Sequence, residues 1–215
     1  MDRSKEQTHA MIEAYDDEAE ATGWYGPEVA FGLMYTYIQP GQSILDIGIG
    51  TGLGSALFCK AGLEVYGMDV SQEMLDACRN KGFTHLKLHD LKSTPYPYHA
   101  GSMDHAVCAG VLNFFSDLSM VFEETARILR KGGLFVFVVG DRTEDESHEF
   151  VVGAEHTKSG PPMTMYRHTA RQIDAWVKKF EFTPLRSLEF TVYMDREKTR
   201  SRQAKVYLAR KTGDI

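Results

Sequence analysis

The chain has 215 residues, 43% of them apolar and 25% charged, and carries a net charge of −6. A chain of this length buries enough surface to fold without disulfide or metal staples, and its composition is that of a globular rather than a disordered protein. The acidic balance leaves no basic excess to release counterions from phosphates, which argues against a nucleic-acid partner, and no apolar run reaches the roughly eighteen residues of a membrane span.

Lys5 to Glu20 and Val29 to Ile38 read as two helices separated by Gly23-Trp24-Tyr25-Gly26-Pro27. Ser43 to Ile47 is a short buried strand, followed by a glycine-rich turn and a helix from Leu53 to Ala61. Glu64 to Met68 is a second strand, closed by Asp69; Ser71 can cap the helix that runs to Lys81 and stops at Gly82. Thr84 to His89 alternates like a half-exposed strand near a sheet edge, and Met103 to Ala109 is a fourth strand. Leu118, Val121, Phe122, Thr125 and Leu129 mark one face of a helix that ends at Arg130-Lys131-Gly132-Gly133. The apolar run Leu134 to Val139 reads as a central strand buried on both faces. Asp141 to Pro162 is a long polar connection, expected to act as a lid. Ile173, Trp176, Val177 and Phe180 then give an amphipathic helix stripe, with Trp176 in the core. Leu185 to Met194 and Gln203 to Ala209 are two strands whose short link makes them antiparallel.

Neither the scattered cysteines (Cys59, Cys78, Cys108) nor the histidines at 85, 89, 99 and 105 have metal spacing, so reduced thiols and no metal are expected. Glu144-Asp145-Glu146 reads as a solvated loop. The opening from Met1 to Glu6 is too polar to begin a signal peptide, and the expected location is cytoplasmic, with no membrane partner.

The chemistry is concentrated in Asp46-Ile47-Gly48-Ile49-Gly50-Thr51-Gly52. Glycines let the backbone turn sharply and let a ligand approach the amides closely. A dinucleotide fingerprint would need a further glycine at 53 or 55, where the chain has Leu53 and Ser55. Asp46 is a poor neighbour for a pyrophosphate and suits a ligand with a cationic amino group. Asp69 ends the second strand, where an acid can accept from both hydroxyls of a ribose. Asp90 ends the third strand, placed to accept from an adenine amino group, with Val70 and Leu91 offering apolar contact to the ring. Any one of these acids could equally be a turn former or helix cap. Three of them at the ends of successive strands, beside the glycine turn, mark one crevice.

On these residues the sequence resembles the class I S-adenosylmethionine-dependent methyltransferases. The resemblance runs from about Ser43 to Ala209. It rests on the Asp46 to Gly52 motif, Asp69, Asp90, the segment Ala109-Gly110-Val111-Leu112-Asn113-Phe114 and the turn Leu129 to Gly133. More loosely, the chain is similar to the small methyltransferase-like proteins of the Williams–Beuren region. The resemblance implies an α/β fold: a Rossmann-like, doubly wound, seven-stranded sheet, mostly parallel with a C-terminal antiparallel hairpin, and helices on both faces. It implies a single methyltransferase domain over 1–215, with an N-terminal helical cap (1–40), a cofactor-binding half (43–140), the lid (141–168) and a C-terminal helix and hairpin (169–215). The implied cofactor is S-adenosylmethionine, held by Asp46, Ile47, Gly48, Gly50, Thr51, Gly52, Asp69, Val70, Met74, Asp90, Leu91 and Ala109.

Tyr15, Trp24, Tyr25, Asn113 and Tyr166 are the candidates for the acceptor side. The family's usual His after the fourth strand is here replaced by Asn113-Phe114, and no catalytic residue is assigned. No Asn-Pro-Pro-Tyr motif follows that strand, so the expected acceptor is a small molecule rather than a DNA base or protein amide. A nucleotide-dependent oxidoreductase and an inactive S-adenosylmethionine-binding regulator remain alternatives.

Overall fold

The computed structural model describes residues 15–152, 163–193 and 195–213. Residues 15–22 are helical (α1), so the first part of the expected N-terminal helix lies outside the described residues. Helix α2 (Gly26–Met34) carries Pro27 in its first turn, where a missing amide costs nothing, and it passes into a 3₁₀ turn over Tyr35–Tyr37. Strand β1 (Ser43–Ile47) leads through the glycine turn into a 3₁₀ turn (Leu53–Ser55) and then α3 (Ala56–Lys60), two short pieces in place of one helix. Strand β2 (Glu64–Asp69) is followed by α4 (Gln72–Asn80), whose cap is Ser71: its hydroxyl accepts from the Met74 amide at 3.2 Å. Strands β3 (His85–Leu88) and β4 (Met103–Cys108), helix α5 (Ser119–Ile128) and strand β5 (Leu129–Gly140) complete the first half. The expected turn at 130–133 lies inside β5 as an irregularity, because the pairing with β4 jumps from Met103↔Leu129 to His105↔Leu134.

The long connection after β5 is not wholly irregular. Strand β6 (Glu149–Val152) pairs antiparallel with β7 (Met163–Tyr166) as a separate two-stranded sheet. Part of the expected lid (153–162) lies outside the described residues. Helix α6 (Ala170–Lys179) starts with a Thr169–Gln172 capping box. Strands β8 (Phe182–Tyr193) and β9 (Ser201–Lys211) form the antiparallel hairpin.

The main sheet has the order β3-β2-β1-β4-β5-β9-β8, with β9 antiparallel to its neighbours and the rest of the pairs from β3 to β5 parallel. The chain builds outward from β1 in one direction, then crosses to β4 on its other side. The crevice between the ends of β1 and β4 is therefore a topological switch point. Strand alternation divides the core in two. Phe135, Phe137 and Val139 of β5 pack on one face with Phe122 of α5 and Ile173 of α6. Leu134, Val136 and Val138 pack on the other with Ala30 and Met34 of α2 and Phe58 of α3. Among the described residues no helix is long and apolar enough to cross a membrane.

Phe122 is fully buried at the centre of an aromatic cluster, 5.1 Å between centroids from Phe137 and 5.5 Å from Phe135. Phe122→Ala leaves a cavity that rigid strand residues cannot fill, and is expected to cost about 3–5 kcal/mol. Urea unfolding checks this. A loss below about 1 kcal/mol would show that the cluster collapses around the gap.

Candidate active site

The turn after β1 depends on backbone conformations open to glycine. Gly48 and Gly52 have φ of 78° and 88°. A Cβ on Gly48 would lie 2.3 Å from Val111, and one on Gly52 would lie 2.6 Å from the Phe83 ring. Gly50, at φ 54°, faces open space. The amides of Gly48 and Ile49 both donate to the Met68 carbonyl, at 2.9 and 3.0 Å, which fastens the turn to the end of β2.

Two acids sit against this turn. Asp46 shares the face of β1 that carries Ile44 and is 2% exposed; its Oδ2 accepts from the Ser55 hydroxyl at 2.7 Å. Burial pushes its carboxyl up to about 7; the Ser55 bond opposes this shift and the nearby Asp69 adds to it. A buried carboxyl with so little compensation is suited to an incoming positive group. Asp69 uses both oxygens: Oδ2 accepts from the Gly50 amide and Oδ1 from the Ser71 amide, each at 2.9 Å. It thus ties the exits of β1 and β2 together, while capping of α4 falls to Ser71. Carboxylate oxygens have two acceptor sites each, so one on each oxygen is still open to a pair of hydroxyls.

The other expected cofactor residues are distributed as follows. Val70 is 68% exposed and presents apolar surface at the crevice, whereas Leu91 is buried. Asp90 is exposed and accepts from the Lys92 amide at 2.9 Å. Met74 is half-buried in the first turn of α4, and Ala109 is half-buried just past β4. Ile47 lies in the core, which leaves only its backbone for a ligand. Thr51 is buried and donates to Asp16 at 2.6 Å; Asp16 also pairs with Lys81. Asp16 therefore fastens α1 over the glycine turn, a role with no motif to announce it.

Beyond the end of β4 a cleft of ≈ 340 Å³ opens, lined by Tyr15, Trp24, Gly110, Asn113, Phe150 and Arg167 among others. Burial, and then the Asp16 and Asp69 carboxylates, push the Tyr15 phenol above its usual range, so it stays protonated. Asn113 Oδ1 accepts from the Gly140 amide at 2.9 Å and pins the end of β5. Tyr25 instead lines a neighbouring depression with Asp16, Glu20 and Pro27. The Tyr166 ring lies 5.3 Å from that of His148, and the residues flanking it, Met165 and Arg167, line the cleft. Neighbouring strand residues face opposite ways, so the candidate and the cleft wall differ by one position. Among the described residues no cluster of His, Cys, Asp or Glu is able to hold a metal ion.

Residues 45–137 match the methyltransferase domain family. The malonyl-[acyl-carrier protein] O-methyltransferase of Serratia marcescens is 32% identical over 134 residues, 60% of this chain and 52% of that one. A ubiquinone biosynthesis O-methyltransferase of Shewanella halifaxensis is 27% identical over 182 residues, 75% of this chain and 77% of that one. The chain thus spans about half the length of the first relative and about three quarters of the second. Among solved structures, a SAM-dependent methyltransferase of Methanosarcina mazei superposes with a TM-score of 0.72 at 19% identity, covering 85% of this chain and 98% of that one. The geranyl diphosphate C-methyltransferase of Streptomyces coelicolor, solved with S-adenosylhomocysteine, gives 0.65 at 16% identity, covering 86% and 80%.

The buried Asp46 makes ligand binding pH-dependent. Its raised value means that the free protein holds a proton there below about pH 7, and a ligand ammonium favours the charged form. Binding at lower pH must release that proton, so affinity for S-adenosylhomocysteine should fall about tenfold per unit below about pH 7 and level off above it. The same shift, from 3.8 to about 7, gives a stability contribution present below 3.8 and lost as pH rises through about 7. Asp46→Asn should therefore flatten the affinity profile and stabilise the ligand-free protein above that pH. Titration calorimetry across the range checks the first point, and a flat wild-type profile would contradict it.

Proposed function

We propose that this chain, which belongs to the class I S-adenosylmethionine-dependent methyltransferases, transfers a methyl group to a small-molecule acceptor held in the cleft beside Gly110 and Asn113. The observation that carries the reading is the buried, weakly compensated Asp46 at a glycine turn beside a cleft that opens past β4. In this reading Asp46 and the turn from Gly48 to Gly52 receive the amino-acid end of the cofactor. Asp69 takes the ribose hydroxyls. Val70, Met74, Asp90 and Leu91 border the adenine, and Ile47 and Ala109 approach through their backbone or short side chain. The relatives named above, O-methyltransferases by name, support a small acceptor.

Bound S-adenosylmethionine supplies a methyl group on a sulfonium, already activated for in-line displacement. The protein's contribution is then mainly to hold the two reactants in line, which can be worth ~7–11 kcal/mol. The side chains of the cleft agree with this division of labour. Tyr15 is held protonated, Asn113 is committed to Gly140, and Glu18 pairs with Arg196 at 2.6 Å. None is poised as a general base, so the preferred acceptor is one whose nucleophilic atom needs little help losing its proton.

Calorimetric titration with S-adenosylhomocysteine, followed by a turnover assay over small-molecule acceptors with S-adenosylmethionine, tests the proposal. Absence of binding at millimolar ligand would remove it, and binding without turnover would favour a regulatory protein instead. Asp69→Ala should weaken binding roughly tenfold to a few hundredfold, since each hydrogen bond to a charged group is worth about 1.5–3 kcal/mol and water replaces part of it. Ser71→Ala, which removes the helix cap, should cost about 1 kcal/mol of stability and leave affinity nearly unchanged. Equal affinities in the two variants would deny Asp69 its ribose role.

A further inference from the structure

The cleft beyond β4 has a second chemical character that methyl-donor binding does not use. Its far wall carries two guanidinium groups on one aromatic ring. The Arg202 Cζ lies 4.1 Å from the centroid of Phe150 and the Arg167 Cζ lies 5.7 Å from it. Arg167 directly follows β7 and Arg202 lies at the start of β9, so like charges converge from two separate parts of the fold. Arg167 is only partly neutralised: Nη1 reaches Glu146 at 3.4 Å, Nη2 donates to the Ser147 carbonyl at 3.0 Å, and its buried Nε has no partner. The side chain of Arg202 makes neither a hydrogen bond nor an ion pair with any other described residue. The one acid on the opposite wall, Glu18, is bound to Arg196 at 2.6 Å. Burial, and then the neighbouring Arg167, hold Arg202 below the usual guanidinium range, though a guanidinium stays charged near neutral pH.

An acidic chain of net charge −6 gives no general reason for two cations in a mostly apolar cleft. Stacking on Phe150 offsets part of the cost of partly burying Arg202, and leaves its N–H donors at the cleft without an acceptor among the described residues. An oxyanion answers both, because carboxylate and phosphate oxygens match the planar guanidinium fork. Trp24, Phe114 and Val139 give the rest of the cleft a mostly apolar surface. At ≈ 340 Å³ the cleft is at the small end of the range for ligand pockets, ~300–1,000 Å³.

We infer that the methyl acceptor is a small amphipathic molecule with an oxyanion, a carboxylate or a phosphate, anchored on Arg202 and Arg167. Its apolar body lies along Trp24, Phe114 and Val139, and its accepting atom at the Gly110 end. This rests on the methyltransferase reading above. Arg202 is the specificity determinant; Arg167 also supports it by holding the Glu146-Ser147 turn ahead of β6.

The test uses the full chain saturated with S-adenosylhomocysteine and three probes of similar shape: phenylacetate, phenyl phosphate and the neutral phenylacetamide. Wild-type protein should bind one or both anions at least about tenfold more tightly than the amide, the discrimination that a charge-assisted hydrogen bond supplies. The tighter of the two names the head group. Arg202→Met, which keeps an apolar stem on Phe150, should abolish the preference. Arg202→Lys should keep part of it, and both variants should retain wild-type affinity for S-adenosylhomocysteine. Equal binding of the three probes, no binding at millimolar concentration, or a preference that survives in Arg202→Met would each overturn the inference while leaving the methyltransferase reading in place. Failure of the wild type to bind S-adenosylhomocysteine would instead remove that reading and this inference with it.

Discussion

The carboxylate of Asp69 is the tie on which the glycine turn depends. With one oxygen on the Gly50 amide and the other on the Ser71 amide, it joins the chain leaving β1 to the chain leaving β2. The glycine turn is then held in left-handed conformations rather than merely permitted them. The turn in turn sets the distance from Asp46 to the start of α3, where Ser55 donates the bond that partly offsets its burial. A doubly wound sheet opens a crevice at the carboxyl ends of its strands where the strand order reverses, here between β1 and β4. The glycine turn borders that crevice with fixed amides, with Asp46 buried beneath them and Asp69 tying them to the neighbouring end of β2.

The cleft beyond β4 is built differently. Its walls come from α1, the ends of β4 and β5, the β6–β7 hairpin and the tips of β8 and β9. These pieces are short or lie at element ends, and they are joined by individual polar contacts: Asp16 to Thr51, Asn113 to Gly140, Arg196 to Glu18. On the proposed reading, a donor half fixed by the sheet beside a cleft of separate pieces lets acceptor choice vary without disturbing the donor site. The two guanidinium groups also belong to this second half, whereas Asp46 and Asp69 lie at the glycine turn.

What the sequence revealed follows the same division. The strands of the parallel half and the glycine turn were legible because their constraints are local. Apolar runs of strand length, glycine where φ is positive, and Ser71 ahead of a helix each leave a mark within a few residues. The β6–β7 hairpin was not legible, because Glu149–Val152 and Met163–Tyr166 are four residues each and become strands only by finding one another. Tyr166 was the aromatic candidate beyond Pro162, yet strand parity gives the cleft to Met165 and Arg167. Arg167 and Arg202 had no shared pattern either, and only the fold sets them on one ring. Asp16 reads as one acid among several on a polar helix. Its contact with Thr51 spans two segments that no periodicity connects.

The central claim is that Asp46 is a buried acid waiting for a positive ligand group. The most direct measurement is the carbon NMR titration of its side-chain carboxyl, with and without saturating S-adenosylhomocysteine. The structure predicts a midpoint near 7 in the free protein and a fall of at least about one unit in the complex, as an adjacent opposite charge demands. A midpoint in the ordinary carboxylate range that the ligand does not move would contradict the account.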